Sequence, residues 1–364
     1  MAFDYRFQNI LERVSQLDHL LTEENMSINL EAVQDQRIER EQNVVRQEKR
    51  RRDFSIHDTL SWLNLEEDDD RLEILSSKRH VDTCHWILKN GLFQHWKDDR
   101  DSDPILWLKG IPGAGKTILS TFLIQSIQQD PAITSAYHFC NSHTYGKDLL
   151  GRFLRSFSAQ LFGGNLELGP YILDKYANKG FSPTKPQMRA LLSELLEVIP
   201  SVRLILDGID EYSESDQRSI LTELLSLSET SRGRCKILIS SRESLQIKKI
   251  LSSKPTLSLR EYHGQIQADI SAYLHESLED CRERFSNALI DSVETRVLEK
   301  ADGMFLYARC AVKALETCFT VHELLEDITT KSRRDLVSVY DRILSLMKAD
   351  LDEGLWNIAR LILQ

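Results

Sequence analysis

A chain of 364 residues is too long for one ordinary core, so two or three domains are expected. A composition of 41% hydrophobic and 28% charged residues is that of a globular protein, and a net charge of −10 argues against binding to bulk nucleic acid or an anionic membrane. No run of eighteen apolar residues exists, so no membrane-spanning helix is expected, and the start, MAFDYRFQNI, lacks the charged-then-apolar layout of a signal peptide. The six cysteines (Cys84, Cys140, Cys235, Cys281, Cys310, Cys318) include no C-x-x-C pair, which predicts reduced thiols in an intracellular protein rather than a zinc or disulfide framework. A cytoplasmic location is expected, with nuclear entry as the alternative.

In chain order, residues 1 to about 60 read as helical. Phe7, Ile10, Val14, Leu17 and Leu21 recur at spacings of three and four, a short seam suited to a partner helix, a second copy or ordinary packing. Lys49-Arg50-Arg51-Arg52 reads as a solvated helix end more readily than as a nuclear-localisation patch. Five acids, Glu66 to Asp70, read as a solvated linker. Cys84-His85-Trp86-Ile87-Leu88 and Phe93-Gln94-His95-Trp96 then predict a short amphipathic helix, its tryptophans core residues or a lid over a ligand.

Gly110-Ile111-Pro112-Gly113-Ala114-Gly115-Lys116-Thr117 fits G-x-x-x-x-G-K-[ST], the phosphate-binding loop of P-loop NTPases. It follows an apolar strand pattern at 105–108 and precedes a helical one at 118–128, the context that the motif requires. The glycines let backbone N–H groups face a phosphate beside a helix N-terminus. The nucleotide cradle is therefore assigned to Gly110, Ile111, Pro112, Gly113, Ala114, Gly115, Lys116, Thr117 and Ile118, with Lys116 reaching the β/γ-phosphates and the Thr117 hydroxyl on Mg²⁺.

A second strand is expected at 133–140, and helices near 147–163, 170–178 and 184–198. His138, Cys140 and His143 lie close together but lack a fourth ligand and a usual zinc spacing. Val202 to Leu206 is an apolar strand ending in Asp207, the placement of a Walker B carboxylate on Mg²⁺. Asp210 and Glu211 follow where open α/β sheets bind ligands, so one of them can orient or deprotonate the attacking water. A further strand, Cys235 to Ser241, ends at Arg242, which reads either as a γ-phosphate sensor or as an exposed arginine starting the next helix. After a last strand at 256–259 the pattern is helical, at 266–278, 288–298, 304–315, 336–347 and 355–363. That region shows no catalytic constellation and reads as a lid.

Three blocks, Leu106 to Thr117, Leu204 to Glu211 and Ser240-Ser241-Arg242, together resemble a NACHT domain of the fungal STAND type. Asp207-Gly208-Ile209-Asp210-Glu211 matches that group's extended acidic motif, and Ala301-Asp302-Gly303-Met304-Phe305-Leu306-Tyr307-Ala308 resembles the helix that follows its core. The resemblance covers roughly residues 80 to 350. It implies a switch in which nucleotide exchange opens the protein, which then oligomerises and brings N-terminal effector regions together. In fungi such switches underlie non-self recognition, heterokaryon incompatibility and regulated cell death. On the same resemblance Asp210 and Glu211 place the water and Arg242 reads the γ-phosphate. Two departures stand out. Arg333-Arg334 occupy a place where the family usually has a proline, and the chain stops at Gln364 before any ankyrin or WD40 repeat, with the winged-helix segment incomplete. A fragment, a truncated product or a form lacking its sensor is expected.

The expected architecture is an α/β P-loop NTPase with a mostly parallel sheet, an N-terminal helical segment (1–78), a nucleotide-binding core (79–260) and a C-terminal helical lid (261–364). Expected ligands are ATP or GTP with Mg²⁺, since nothing in the sequence selects the base. Expected partners are copies of the chain in the triphosphate state and an effector protein through the N-terminal helices. The alternative is an interaction module that binds nucleotide only structurally. A small-molecule kinase is disfavoured by the long helical lid.

Overall fold

The computed structural model describes residues 2–63, 68–98, 101–141, 148–177, 183–231 and 233–316. The chain forms α1 (Ala2–Leu63), α2 (Asp68–Ser77), α3 (Gly91–Asp98), β1 (Ile105–Lys109) and α4 (Lys116–Gln128). It continues through β2 (Thr134–Phe139), α5 (Leu149–Gly163), α6 (Gly169–Ile172), α7 (Lys185–Val198), β3 (Val202–Asp207) and α8 (Glu214–Thr230). Then come β4 (Cys235–Ser241), α9 (Leu245–Leu251), β5 (Thr256–Ser258), α10 (His263–Ser277), α11 (Glu279–Arg284), α12 (Asn287–Ala301) and α13 (Phe305–Glu316). Contacts divide it into two compact units, residues 1–62 with 166–180, and residues 63–165 with 181–364.

In the first unit α1 is one helix of 62 residues. Exposed apolar side chains lie along it, Leu17, Leu20, Met26, Ile38, Val44, Val45 and Phe54 among them. Near its end the Thr59 hydroxyl donates to the Gly169 carbonyl (3.4 Å), and Trp62 stacks on Tyr176. The segment expected as helical near 170–178 is helical up to Ala177, as the short α6 followed by a π turn, with a 3-10 turn at Leu166–Leu168 ahead of it.

The second unit is built on a five-stranded sheet of order β2-β3-β4-β1-β5, every pairing parallel. Helices on both faces explain why its strands read as continuous apolar runs: all six residues of β3 and all seven of β4 are buried. β4 lies between β3 and β1, so the strand ending before Arg242 adjoins both the P-loop strand and the acidic one. Trp107 on β1 adds a hydrogen bond across the sheet, its indole N–H donating to Ser241 Oγ (2.8 Å).

Local chemistry sets the helix ends. Asp148 caps α5 through the Gly151 N–H (3.0 Å), and Ser213 and Ser244 cap α8 and α9. Of the acids expected as a linker, Asp68 to Asp70 open a helix instead, since α2 begins at Asp68 and carboxylates suit the positive end of the helix dipole, while Glu66 and Glu67 lie outside the described residues. The single amphipathic helix expected at 84–96 is split in two, a 3-10 turn at His85–Lys89 and α3. Asn90 makes the break, its Oδ1 accepting from the Leu92 and Phe93 N–H groups (3.0 and 3.1 Å), so α3 restarts with Phe93 and Trp96 turned into the core.

Helices α10 to α13 share an apolar core that includes Ile266, Ile270 and Leu274 with Ile290, Val293, Val297, Ala308 and Val312. Arg282 ties α11 to α12 through Asp291 (2.7 Å) and Glu294 (3.2 Å). The helices expected at 336–347 and 355–363 lie outside the described residues.

Candidate nucleotide site

The loop between β1 and α4 turns on two glycines with left-handed backbone, Gly113 (φ 74°) and Gly115 (φ 86°), which brings α4 in with Lys116 as its first residue. The loop sits at the carboxyl edge of the parallel sheet, and the ends of β3 and β4 deliver Asp207 and Arg242 to that edge. Gly208, also left-handed (φ 79°), turns the chain after β3 into a single 3-10 turn carrying Asp210 and Glu211.

Asp207 is buried and holds two hydroxyls of α4: Thr117 donates to its Oδ2 (2.7 Å) and Ser120 to its Oδ1 (2.8 Å). Ser120 was not singled out by motif, although it lies one helical turn beyond Thr117 and so on the same face. Lys116 Nζ donates to the Gly110 and Ile111 carbonyls of its own loop, at 3.0 Å each. Burial lowers its pKa from the usual lysine value, while Asp210, Asp207 and Glu211 oppose that shift and Arg242 adds to it. Asp210 and Arg242 form a latch across the ends of β3 and β4. The guanidinium lies 3.1 Å from one carboxylate oxygen, and the Arg242 N–H donates to the other at 3.0 Å. Glu211 is exposed on the same turn.

These groups open onto a cavity of about 270 Å³ whose walls also come from outside the motifs. Trp86 is one such wall. It stacks on Tyr262 (5.2 Å between centroids), and its indole N–H shares Asp269 Oδ2 on α10 with the Cys84 N–H (3.1 and 2.9 Å). Trp96, the other lid candidate, is a core residue 2% exposed. Leu306 and Arg309 of α13 reach the cavity from the far side. The Leu306 N–H donates to the Gly113 carbonyl (3.0 Å). The apolar periodicity at 304–315 predicts this helix, but only the folded contact reveals that it meets the loop.

A nucleotide and Mg²⁺ fit these residues. The Ser240 hydroxyl on the cavity wall is buried without a hydrogen-bond partner. The Lys116 ammonium rests on loop carbonyls that a phosphate could replace. Thr117 and Asp207 offer paired hard oxygens, and no group of three His, Cys, Asp or Glu among the described residues gathers as a metal cage. Such sparse protein ligation suits Mg²⁺, which keeps waters and substrate phosphates in its shell.

Residues 82–242 match the family described as Nephrocystin 3, N-terminal. Vegetative incompatibility protein HET-E-1 of Podospora anserina is 25% identical over 261 residues, covering 68% of this chain and 19% of that protein. The chain thus spans about a fifth of the length of this curated relative. Among solved structures, the Walker-type ATPase PABY2304 of Pyrococcus abyssi aligns with 78% of each chain at 11% identity and a TM-score of 0.46. CDC6P of Pyrobaculum aerophilum aligns with 69% of this chain and 64% of its own at 16% identity and a TM-score of 0.42. The α/β assignment stands on the sheet order and the loop themselves.

Proposed function

We propose that the chain is a P-loop NTPase of the fungal NACHT type, a nucleotide-dependent switch whose bound state controls its assembly. The observation that carries this reading is a single cavity walled on one side by the loop and the acids and on the other by the helical lid. An occupant of that cavity touches both, so its phosphate state can bias the position of the lid.

In this reading the loop N–H groups and Lys116 hold the phosphates of ATP or GTP, and Thr117 and Asp207 hold Mg²⁺. The metal, when bound, supplies Lewis-acid polarisation of the phosphoryl oxygens. Ser120 fixes the second Asp207 oxygen and so orients the first toward Thr117. Glu211 and Asp210 place the attacking water. The latch on Asp210 commits that acid to Arg242, so hydrolysis is slow until Arg242 turns to the γ-phosphate. The triphosphate state assembles copies of the chain and gathers the N-terminal helices for an effector protein, as in fungal non-self recognition or cell death.

The same latch also suits the alternative, an interaction module that holds nucleotide without turnover, and multi-turnover phosphate release separates the two. The principal test is size-exclusion chromatography with light scattering on protein loaded with ADP, a non-hydrolysable ATP analogue, or the guanine pair. The expected result is a mass that rises only with one triphosphate, which also names the base. Lys116→Ala should lose nucleotide binding and the mass change together. A monomer in all states, or a Lys116→Ala chain that binds like wild type, overturns the switch.

A further inference from the structure

Resting on the cavity's assignment to a nucleotide, we propose that Arg309 of the lid helix α13 is a phosphate-binding residue, the group through which the lid reads the ligand. Four observations lead to it. First, α13 is docked on the phosphate loop itself. Beside the Leu306 N–H bond to Gly113, the Leu306 and Met304 side chains stand 2.8 and 3.0 Å from where a Cβ on Gly113 would lie. Second, Leu306 and Arg309 are three residues apart, hence neighbours on one helix face, and both line the cavity. Tyr307, Ala308 and Val312 of the same helix are buried in the lid core, while Arg309 is exposed.

Third, Arg309 forms no ion pair with a described residue. The lid's other conspicuous arginine, Arg282, is engaged by Glu279, Asp291 and Glu294. Fourth, the two cations of the motifs must each leave an internal partner to meet a phosphate, Lys116 its loop carbonyls and Arg242 Asp210, whereas Arg309 need break no ion pair with a described residue. A di- or triphosphate brings several negative charges to a cavity that already carries Asp207, Asp210, Glu211 and Asp269. Even with Mg²⁺, Lys116 and Arg242 turned to the ligand, a further cation on that wall favours binding, and a guanidinium meets phosphate oxygens two at a time. An arginine borne by the lid couples phosphate binding to lid position directly, because the helix that carries it already grips the loop.

The test is titration of ADP and a non-hydrolysable triphosphate, and of the matching nucleoside, into wild type, Arg309→Gln, Arg309→Lys and Arg309→Glu. Since the side chain is exposed, the ligand-free melting temperature should stay within a degree or two. Arg309→Gln should weaken nucleotide binding on the order of tenfold or more, the scale of one charged hydrogen bond. Arg309→Glu should lose more, Arg309→Lys should recover part, and nucleoside binding should not change. A loss confined to the triphosphate places Arg309 on the terminal phosphate, and a loss shared by both places it further in. Equal nucleotide affinity across the variants, or equal losses for nucleotide and nucleoside, overturns the assignment while leaving the site intact. A wild-type chain that binds no nucleotide overturns the site itself.

Discussion

Single residues in this protein are tuned mainly by burial, and the cysteines show it most directly. All five described thiols are buried. Burial pushes Cys235 up to about 12, and burial with the nearby Asp269 carboxylate pushes Cys84 up to about 11. Both values lie above the 9.0 of an ordinary thiol, so the stability these thiols contribute is complete below about pH 9. Above it the unfolded chain releases protons that the folded chain retains, and that contribution is lost as pH climbs toward the folded values. Urea midpoints should therefore fall between pH 8.5 and 10.5, and fall less steeply in Cys235→Ala. An equal or steeper slope in that variant would show that lysine or tyrosine titration governs the alkaline limb. The motif acids differ in the same local way. Asp207 is held by two hydroxyls and Asp210 by an arginine, which the identical side chains in the sequence do not distinguish.

At the scale of elements, the contact between α13 and the phosphate loop is the one most open to test. Gly113 combines a left-handed backbone with Leu306 Cβ 2.8 Å from any added Cβ. Gly113→Ala thus faces both conformational strain and collision with a helix rather than with a flexible side-chain tip. The two together should cost roughly 2–4 kcal/mol, lower the melting temperature by several degrees and weaken nucleotide binding. A melting temperature equal to wild type would mean that α13 does not rest on the loop. Part of this element was legible in the sequence. Apolar spacing predicts the helix, and Ala301 to Ala308 resembles a segment that follows the core in NACHT proteins. Its function was not legible, because Leu306 and Gly113 are far apart in the chain and no spacing rule joins them.

For the whole molecule, ligand and fold are linked. A nucleotide that bridges the sheet edge and the lid binds only the folded chain, so saturation should stabilise it. At a free concentration a hundred times Kd the gain is about 2.7 kcal/mol, a rise in melting temperature of roughly 5–10 °C for a domain this size. Lys116→Ala should show no such rise. A rise that persists in that variant would place the ligand elsewhere. Two compact units and the parallel order β2-β3-β4-β1-β5 are properties of this scale, although the alternation of apolar runs and helical stretches already pointed to an α/β sheet.

The sequence by itself determined where the glycine loop, the acids after β3 and the arginine after β4 stand, because each is written in contiguous residues at the end of a strand. A loop that cradles phosphate must be written in consecutive residues, and a buried parallel strand must be an unbroken apolar run. Only the tertiary structure decided which groups meet across the cavity: Ser120 on Asp207, Asp210 on Arg242, Trp86 on Tyr262 and Asp269, and α13 over Gly113. Those pairings depend on how helices pack over a sheet edge, and packing rewards shape and buried area wherever in the chain the surfaces come from.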